Sequence, residues 1–389
     1  VTMNSPDGVI FMVIVAMMDF CYDRSNDVRF VRRAAYLKNR QIFRMKLLTL
    51  TSAIILLTPG LSSRVVDARP TLPDANCRCD VNDRFDPQAK MPQGIHQGKC
   101  INSCHQRSLR RLSAAEAAEY GIEPQAIAVA NVSHQNQFWV AQILPNSVAE
   151  VIYQLENFPS PIPAAHTQLR FRFSPGSEVL LIPQIPGSHQ SPVKLQDLIF
   201  SVEAVAVVGG NFDLVAGFFD NFAIAYRLVS LESRVQRMII EDGHQVQQIQ
   251  LNLTPAQKNQ LLLNAITKSQ QAGLTQMYNT LNRNCTTEVF RIIDQTIGYH
   301  SAPNSGSQEI FINAPTGEQI SMLFANGILN QQAINQFLAD SLDATQLQFL
   351  QEHIPTISPT ALQRRGIKGM ELPDLNYELQ NTGGGGMIW

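Results

Sequence analysis

Apolar and polar positions alternate most regularly just after residue 166, where Leu169, Phe171 and Phe173 are separated by Gln168, Arg170 and Arg172. A period of two predicts a strand with one face buried and the other toward water. His166 opens this strand, which is bounded by Pro163 and Gly176, and residues 179–182 are expected to pair back on it as a hairpin. Further strands are predicted at 138–143, 198–208, 222–231, 236–240 and 245–251, with Gly209-Gly210-Asn211 as a turn.

Helical signals fall between these runs. Ser113 followed by Glu116 is a capping box for a short helix that stops near Gly121. Residues 146–155 are read as a second short helix, closed by the proline-rich segment 159–163. Thr254, Pro255 and Gln257 open a longer one, with Leu261, Leu262, Leu263 and Ile266 directed to the core. The next helix carries Val289, Phe290, Ile292 and Ile293 on one face and is capped by Asn282 or Asn284. After a linker at 301–306, helical segments are expected at 318–324, 331–342 and 344–353, with Asn330 and Asp343 as caps. The tail from Pro355, ending in Gly383-Gly384-Gly385-Gly386, reads as disordered.

The N-terminal part departs from this pattern. Met45-Lys46, an apolar run from Leu47 to Leu57, the breaker Pro59-Gly60 and Val66-Asp67-Ala68 have the layout of a secretory signal peptide. Residues 45–68 are therefore expected to be removed, with residues 1–44 an upstream extension of the reading frame. The apolar run is shorter than the roughly 20 residues of a spanning helix, which argues against a membrane anchor. No small-residue lipobox precedes Cys77. The mature protein is expected in the periplasm or secreted.

Export changes what the cysteines mean. Of six, Cys21 lies upstream, while Cys77, Cys79, Cys100 and Cys104 crowd together and leave Cys285 alone. In an oxidising compartment the group of four reads as two disulfides stapling an N-terminal lobe over residues 69–134. Cys77 and Cys79 are too close in sequence to pair without strain, so each is expected to bond to Cys100 or Cys104. A four-cysteine zinc site is the alternative, to which His96 and His105 add a little.

The unpaired thiol is the candidate for chemistry. Cys285 sits at a helix N-terminus, where backbone amides and the helix dipole favour a thiolate, the nucleophile of cysteine catalysis. The bland alternative is a small buried residue packing a helix start. Asn284-Cys285-Thr286 also matches a glycosylation sequon, which a buried helix start would exclude. A chain of 389 residues, 44% hydrophobic, can bury a substantial core in one or two domains. Its formal net charge of −2 leaves no electrostatic footprint for nucleic acid. No phosphate loop, metal-ligand cluster or internal repeat stands out.

Three motifs occur in order across roughly residues 135–300: Pro163-Ala164-Ala165-His166-Thr167 opening a strand, Ser201-Val202-Glu203, and Tyr278-Asn279 followed by Asn284-Cys285-Thr286-Thr287. Together they resemble the Lnb N-terminal periplasmic domain family. That resemblance implies an α+β, papain-like fold in permuted order, histidine before cysteine. An antiparallel sheet would pack on the nucleophile helix, between the stapled lobe and a helical appendage over 301–389. By the resemblance, Cys285 matches the nucleophile, His166 the base, and Glu203 an acidic position that orients the imidazole. Glu203 also reads as a solvated strand residue or a simple ion pair. Two stretches depart from the family pattern: Ala204-Val205 stand where an arginine often follows the Ser-x-Glu motif, and Glu232-Ser233-Arg234 replaces a Glu-Arg-Asp triplet. His134, His189, His244, His300 and His353 read as surface residues.

Chemically, an imidazole on a strand facing a helix N-terminus can take the proton of a thiol and leave a nucleophile poised for an ester or amide. The Cys285 amide with Asn284 or Asn279 is the expected oxyanion site. The reading that results is a cysteine acyltransferase or hydrolase working through a thioester, without a cofactor. Its substrate would be an acyl-bearing lipid, a lipoprotein or a peptide, with room for peripheral membrane contact. Alternatives are a non-catalytic envelope binding module of the same fold and a peptide or peptidoglycan amidase. The export reading has a direct check: protein recovered from the cell envelope is expected to begin near Arg69 by N-terminal sequencing, and an intact Met45 there would overturn it.

Overall fold

β-Branched and aromatic residues recur in the central stretches that pair, and one twelve-stranded sheet forms among the described residues. The computed structural model describes residues 76–158, 165–212, 216–280, 283–300, 352 and 355–382. The signal peptide, the segment 159–163 and the glycine run 383–386 lie outside these residues. So do the helical segments expected across 318–353, Glu352 apart.

The first strands are β1 (Arg110–Arg111), β2 (Ile127–His134), β3 (Gln137–Ile143), β4 (Val148–Asn157) and β5 (Ala165–Phe173). Then come β6 (Val179–Pro183), β7 (Val193–Leu195), β8 (Asp197–Val205) and β9 (Phe222–Ser230). Last are β10 (Gln245–Leu251), β11 (Met277–Tyr278) and β12 (Lys368–Leu372). The helices are α1 (Ala114–Glu119), α2 (Leu231–Val235), α3 (Pro255–Ala272), α4 (Cys285–Ile297), α5 (Pro359–Arg364) and α6 (Leu375–Thr382). The strand order is β12-β10-β4-β5-β8-β9-β2-β3-β6-β7, with β1 on β2 and β11 on β9. The fold is α+β, but the sheet is mixed rather than antiparallel throughout, because β2 runs parallel to β9 at Ser133 and Val229.

The capping boxes at Ser113 and Thr254 form as their sequences predict. Of the apolar residues expected along α3, Leu261, Leu262 and Ile266 are buried and Leu263 is half-buried. Four local expectations fail. Residues 148–157 are a strand rather than a helix; the run Val151-Ile152-Tyr153 is buried between β5 and β10, where β-branched and aromatic side chains pack well. The segment 179–183 pairs with β3 and β7 instead of β5, since both edges of β5 are already taken by β4 and β8. Residues 236–241 prolong α2 as a π-helical turn, closed by the Asp242 amide donating to the Arg237 carbonyl at 3.0 Å. The stretch after Pro355, read as disordered, instead folds into α5, β12 and α6.

The two faces of the sheet differ in chemistry. On one, Leu169, Phe171, Leu198, Phe200 and Val202 form the main core with Leu262 and Ile266 of α3 and Val289, Phe290 and Ile293 of α4. On the other, the polar positions of β5 are buried too. Arg170 is only 2% exposed. Its guanidinium meets Asp197 at 2.7 Å and holds Glu378 of α6 in a fork of 2.9 and 3.0 Å, while Arg172 joins Glu378 at 3.0 Å. The alternation at 168–173 thus marks a strand with an apolar face and a covered polar face, not a face open to water.

Two disulfides, Cys77–Cys100 and Cys79–Cys104, close the N-terminal lobe and overturn the zinc alternative, since they use all four thiols. The lobe docks on the polar side of the sheet, with Met91 and Ile101 against Val205, Val207, Ala223 and Ala225. The Asn102 amide donates to the Ala206 carbonyl at 2.8 Å.

The Arg170–Glu378 fork is expected to anchor the last strand and helix. Glu378→Ala leaves a buried guanidinium short of its partner, and a loss of about 2 kcal/mol in urea unfolding is expected. Faster amide exchange confined to β12 and α6 should accompany it. Unchanged stability and exchange would mean that apolar packing alone holds these elements.

Candidate functional site

Asn284 determines where α4 begins. Its backbone is extended, and its side-chain oxygen accepts from the Thr286 and Thr287 amides, both at 2.9 Å. In return the Thr287 hydroxyl accepts from the Asn284 amide at 2.9 Å, a reciprocal capping box. Cys285 is therefore the first residue of the helix, and among the described residues it is the cysteine outside the two disulfides. The Thr167 hydroxyl donates to that of Thr286 at 3.3 Å, which fixes the helix start over β5. Glu288, one turn in and fully buried, accepts from the Tyr226 hydroxyl at 2.6 Å and is neutralised by Lys268 and Arg291.

His166 reaches Cys285 because of a local opening in the sheet. Along β5, Thr167 points to α4 and its neighbour His166 starts on the opposite face. Hydrogen bonding between β5 and β8 runs from Arg172 with Asp197 only as far as Gln168 with Ser201. Beyond that point β8 continues along β9 while His166 pairs only with Glu156 of β4. Where the two strands part, the imidazole lies beside Cys285, the neighbour that does most to raise its pKa. Its Nε2 lies 2.9 Å from Ser201 Oγ, and Ser201 donates to Glu203 Oε1 at 2.5 Å. The direct separation of His166 Nε2 and Glu203 Oε1 is 3.8 Å, beyond hydrogen-bonding range.

The surrounding charges are interlocked. Arg234 of α2 lies 3.5 Å from Glu203 and 3.0 Å from Glu156, and it donates to Gln168 at 2.8 Å. Glu156 also meets His244 Nδ1 at 2.6 Å. Burial alone would keep His166 neutral, but Cys285 and then Glu203 outweigh it and raise its pKa. Burial likewise opposes the charge on Glu203, yet His166, Arg234 and Arg227 bring its pKa down to about 2. Glu156 is lowered for the same reason, by Arg234 and by its hydrogen bond to His244 against the effect of burial.

The structure thus places Cys285, His166 and Glu203 close together, with Ser201 between the imidazole and the carboxylate. The two asparagines are otherwise engaged: Asn284 is buried as the cap, with its amide nitrogen on the Thr280 carbonyl at 2.8 Å, and Asn279 donates to Asp220 at 2.9 Å. The buried cap also excludes Asn284 as a glycosylation site. His189 and His300 are exposed, and His353 lies outside the described residues. His134 is not a surface residue: it is buried beside Trp139, its Nδ1 lies 2.8 Å from Ser230 Oγ, and burial lowers its pKa. His244 is half-buried on Glu156. Ser201, Arg234 and Glu156 were missed as site members. Ser201 had a readable signal, since positions 201 and 203 of one strand share a face. Arg234 had none, as its neighbours are set by the tertiary fold. Among the described residues no cluster of His, Cys, Asp or Glu is arranged to hold a metal ion.

Because the folded pKa of Glu203 lies below its ordinary value of 4.5, its charge stabilises the fold above that pH. The contribution is lost as pH falls toward 2. Glu203→Gln should be destabilised near neutrality by about 2–3 kcal/mol, a gap that closes as pH falls toward the folded pKa. Thermal unfolding of both proteins as a function of pH measures it, and a gap independent of pH would refute a buried, ionised Glu203.

Comparison with curated proteins and with solved structures returns no match. Among the described residues no helix is long and apolar enough to cross a membrane. Residues 134–308, which contain His166, Ser201, Glu203 and Cys285, match the Lnb N-terminal periplasmic domain family.

Proposed function

We propose that this domain is a periplasmic, papain-like thiol enzyme in permuted order, a cysteine acyltransferase or hydrolase. The observation that carries the reading is the buried juxtaposition of Cys285, first residue of a capped helix, with His166. His166 takes the proton from Cys285 Sγ, and the thiolate attacks the acyl carbon of an ester or amide. The bond from that carbon to the leaving oxygen or nitrogen breaks, and the imidazolium returns the proton to the departing group. A thioester remains on Cys285. Water or an acceptor amine then gives its proton to His166, attacks the thioester carbon and releases the thiolate. A lipid, a lipoprotein or a peptide fits this chemistry as acyl donor, and a peptide or peptidoglycan amidase is the same sequence of steps on an amide.

One observation favours a second reading, a binding module that keeps the fold without turnover. Cys285 is 0% and His166 2% exposed. Reactivity separates the two. In an active pair Cys285 should alkylate with iodoacetamide well below the reference thiol pKa of about 8.5. His166→Ala should slow that reaction at least about tenfold near pH 6.5. Activity-based acyl probes should leave a hydroxylamine-sensitive mass shift that disappears in Cys285→Ala, and the double variant should lose little more than either single one. Alkylation only at alkaline pH, unchanged by His166→Ala, would leave the binding module as the answer.

A further inference from the structure

We propose that Ser201 is the positioning residue that fixes which nitrogen of His166 carries the proton, holding it on Nε2 so that Nδ1 is the base toward Cys285. This deepens the thiol-enzyme reading and rests on it. A hydroxyl has one hydrogen to give. Ser201 Oγ has two close partners, Glu203 Oε1 at 2.5 Å and His166 Nε2 at 2.9 Å. An ionised carboxylate only accepts, so the serine hydrogen points to Glu203. The serine oxygen is then an acceptor toward the ring, and Nε2 must bring the hydrogen. A neutral imidazole carries one N–H, which leaves the lone pair on Nδ1.

The fold places this serine between the ring and the carboxylate. Positions 201 and 203 lie on the same face of β8, and the carboxylate stands too far from Nε2 to bond it directly. Ser201 is fully buried, so water does not compete for its hydrogen. The charged groups facing His166 act through the same chain. Arg234 of α2 and Arg227 of β9 hold Glu203 in its ionised form, while Glu156 of β4, paired with His244, faces the ring from the neighbouring strand. When His166 takes the thiol proton, Nε2–H still donates to Ser201 and Ser201 still donates to Glu203. No hydroxyl has to turn, which is the property of a preorganised site.

The tautomer is directly observable. In a Cys285→Ala background with nitrogen-15-labelled histidine, long-range proton–nitrogen correlations above the imidazole titration should show His166 protonated on Nε2. In the protein with Cys285 intact, Ser201→Ala should slow alkylation of Cys285 by about tenfold near pH 6.5 and shift the rate profile to higher pH. Ser201→Thr, which keeps the hydroxyl, should restore both. A neutral His166 protonated on Nδ1 overturns the proposal, and this result needs no change at Ser201. If Ser201→Ala matches wild type in rate and profile while His166→Ala is slow, the role of Ser201 falls and the thiol–imidazole pair stands. If His166→Ala is also without effect, both fall.

Discussion

A thiol, an imidazole and two carboxylates removed from water together can keep charge only by neutralising one another. That constraint shapes the middle of this protein. His166, Glu203 and Glu156 are all buried, and each charge is offset by a neighbour from a different element: Cys285 from α4, Arg234 from α2, His244 from just before β10. A buried cluster of this kind is a poor source of net stability, because desolvation offsets most of the attraction. It does make one arrangement of β4, β5, β8 and α2 far better than its neighbours, since a displaced strand would strand a charge.

The rest of the scaffold holds the two ends of that cluster still. Asn284 fixes the first turn of α4 from within, and the Thr167–Thr286 contact ties it to the strand that carries His166. On the far side, the disulfide-closed lobe covers the ends of β8 and β9, where Ile101 bridges to Val207. Core apolar packing of α3 and α4 lies on one face only, so the polar face needed covers of its own. The N-terminal lobe, α2 with its π-helical turn, and α6 supply them.

Local features of this arrangement were legible in the sequence wherever one residue type has one physical use. The capping boxes at Ser113 and Thr254, the period-two strand at β5, the bonding of Cys77 and Cys79 to Cys100 and Cys104 in an order the sequence leaves open, and the helix start at Cys285 all fall in this class. Failures came where a pattern serves two structures. An apolar run such as Val151-Ile152-Tyr153 suits a buried helix or a buried strand, and only its neighbours β5 and β10 decide. Gln168, Arg170 and Arg172 looked solvated because the cover that buries them comes from residues such as Glu378, distant in the chain. Arg234 and His244 were invisible as site residues for the same reason.

The fork between Arg170 and Glu378 spans 208 positions of sequence. Contacts of such separation close late, because the loop entropy must be overcome before they return any stability. The outer face of β5 is thus finished after its inner face, which can condense earlier on α3 and α4. The cover over Arg170 and Arg172 comes from a segment far away in the chain, whereas the inner face of the same strand packs on helices closer in sequence.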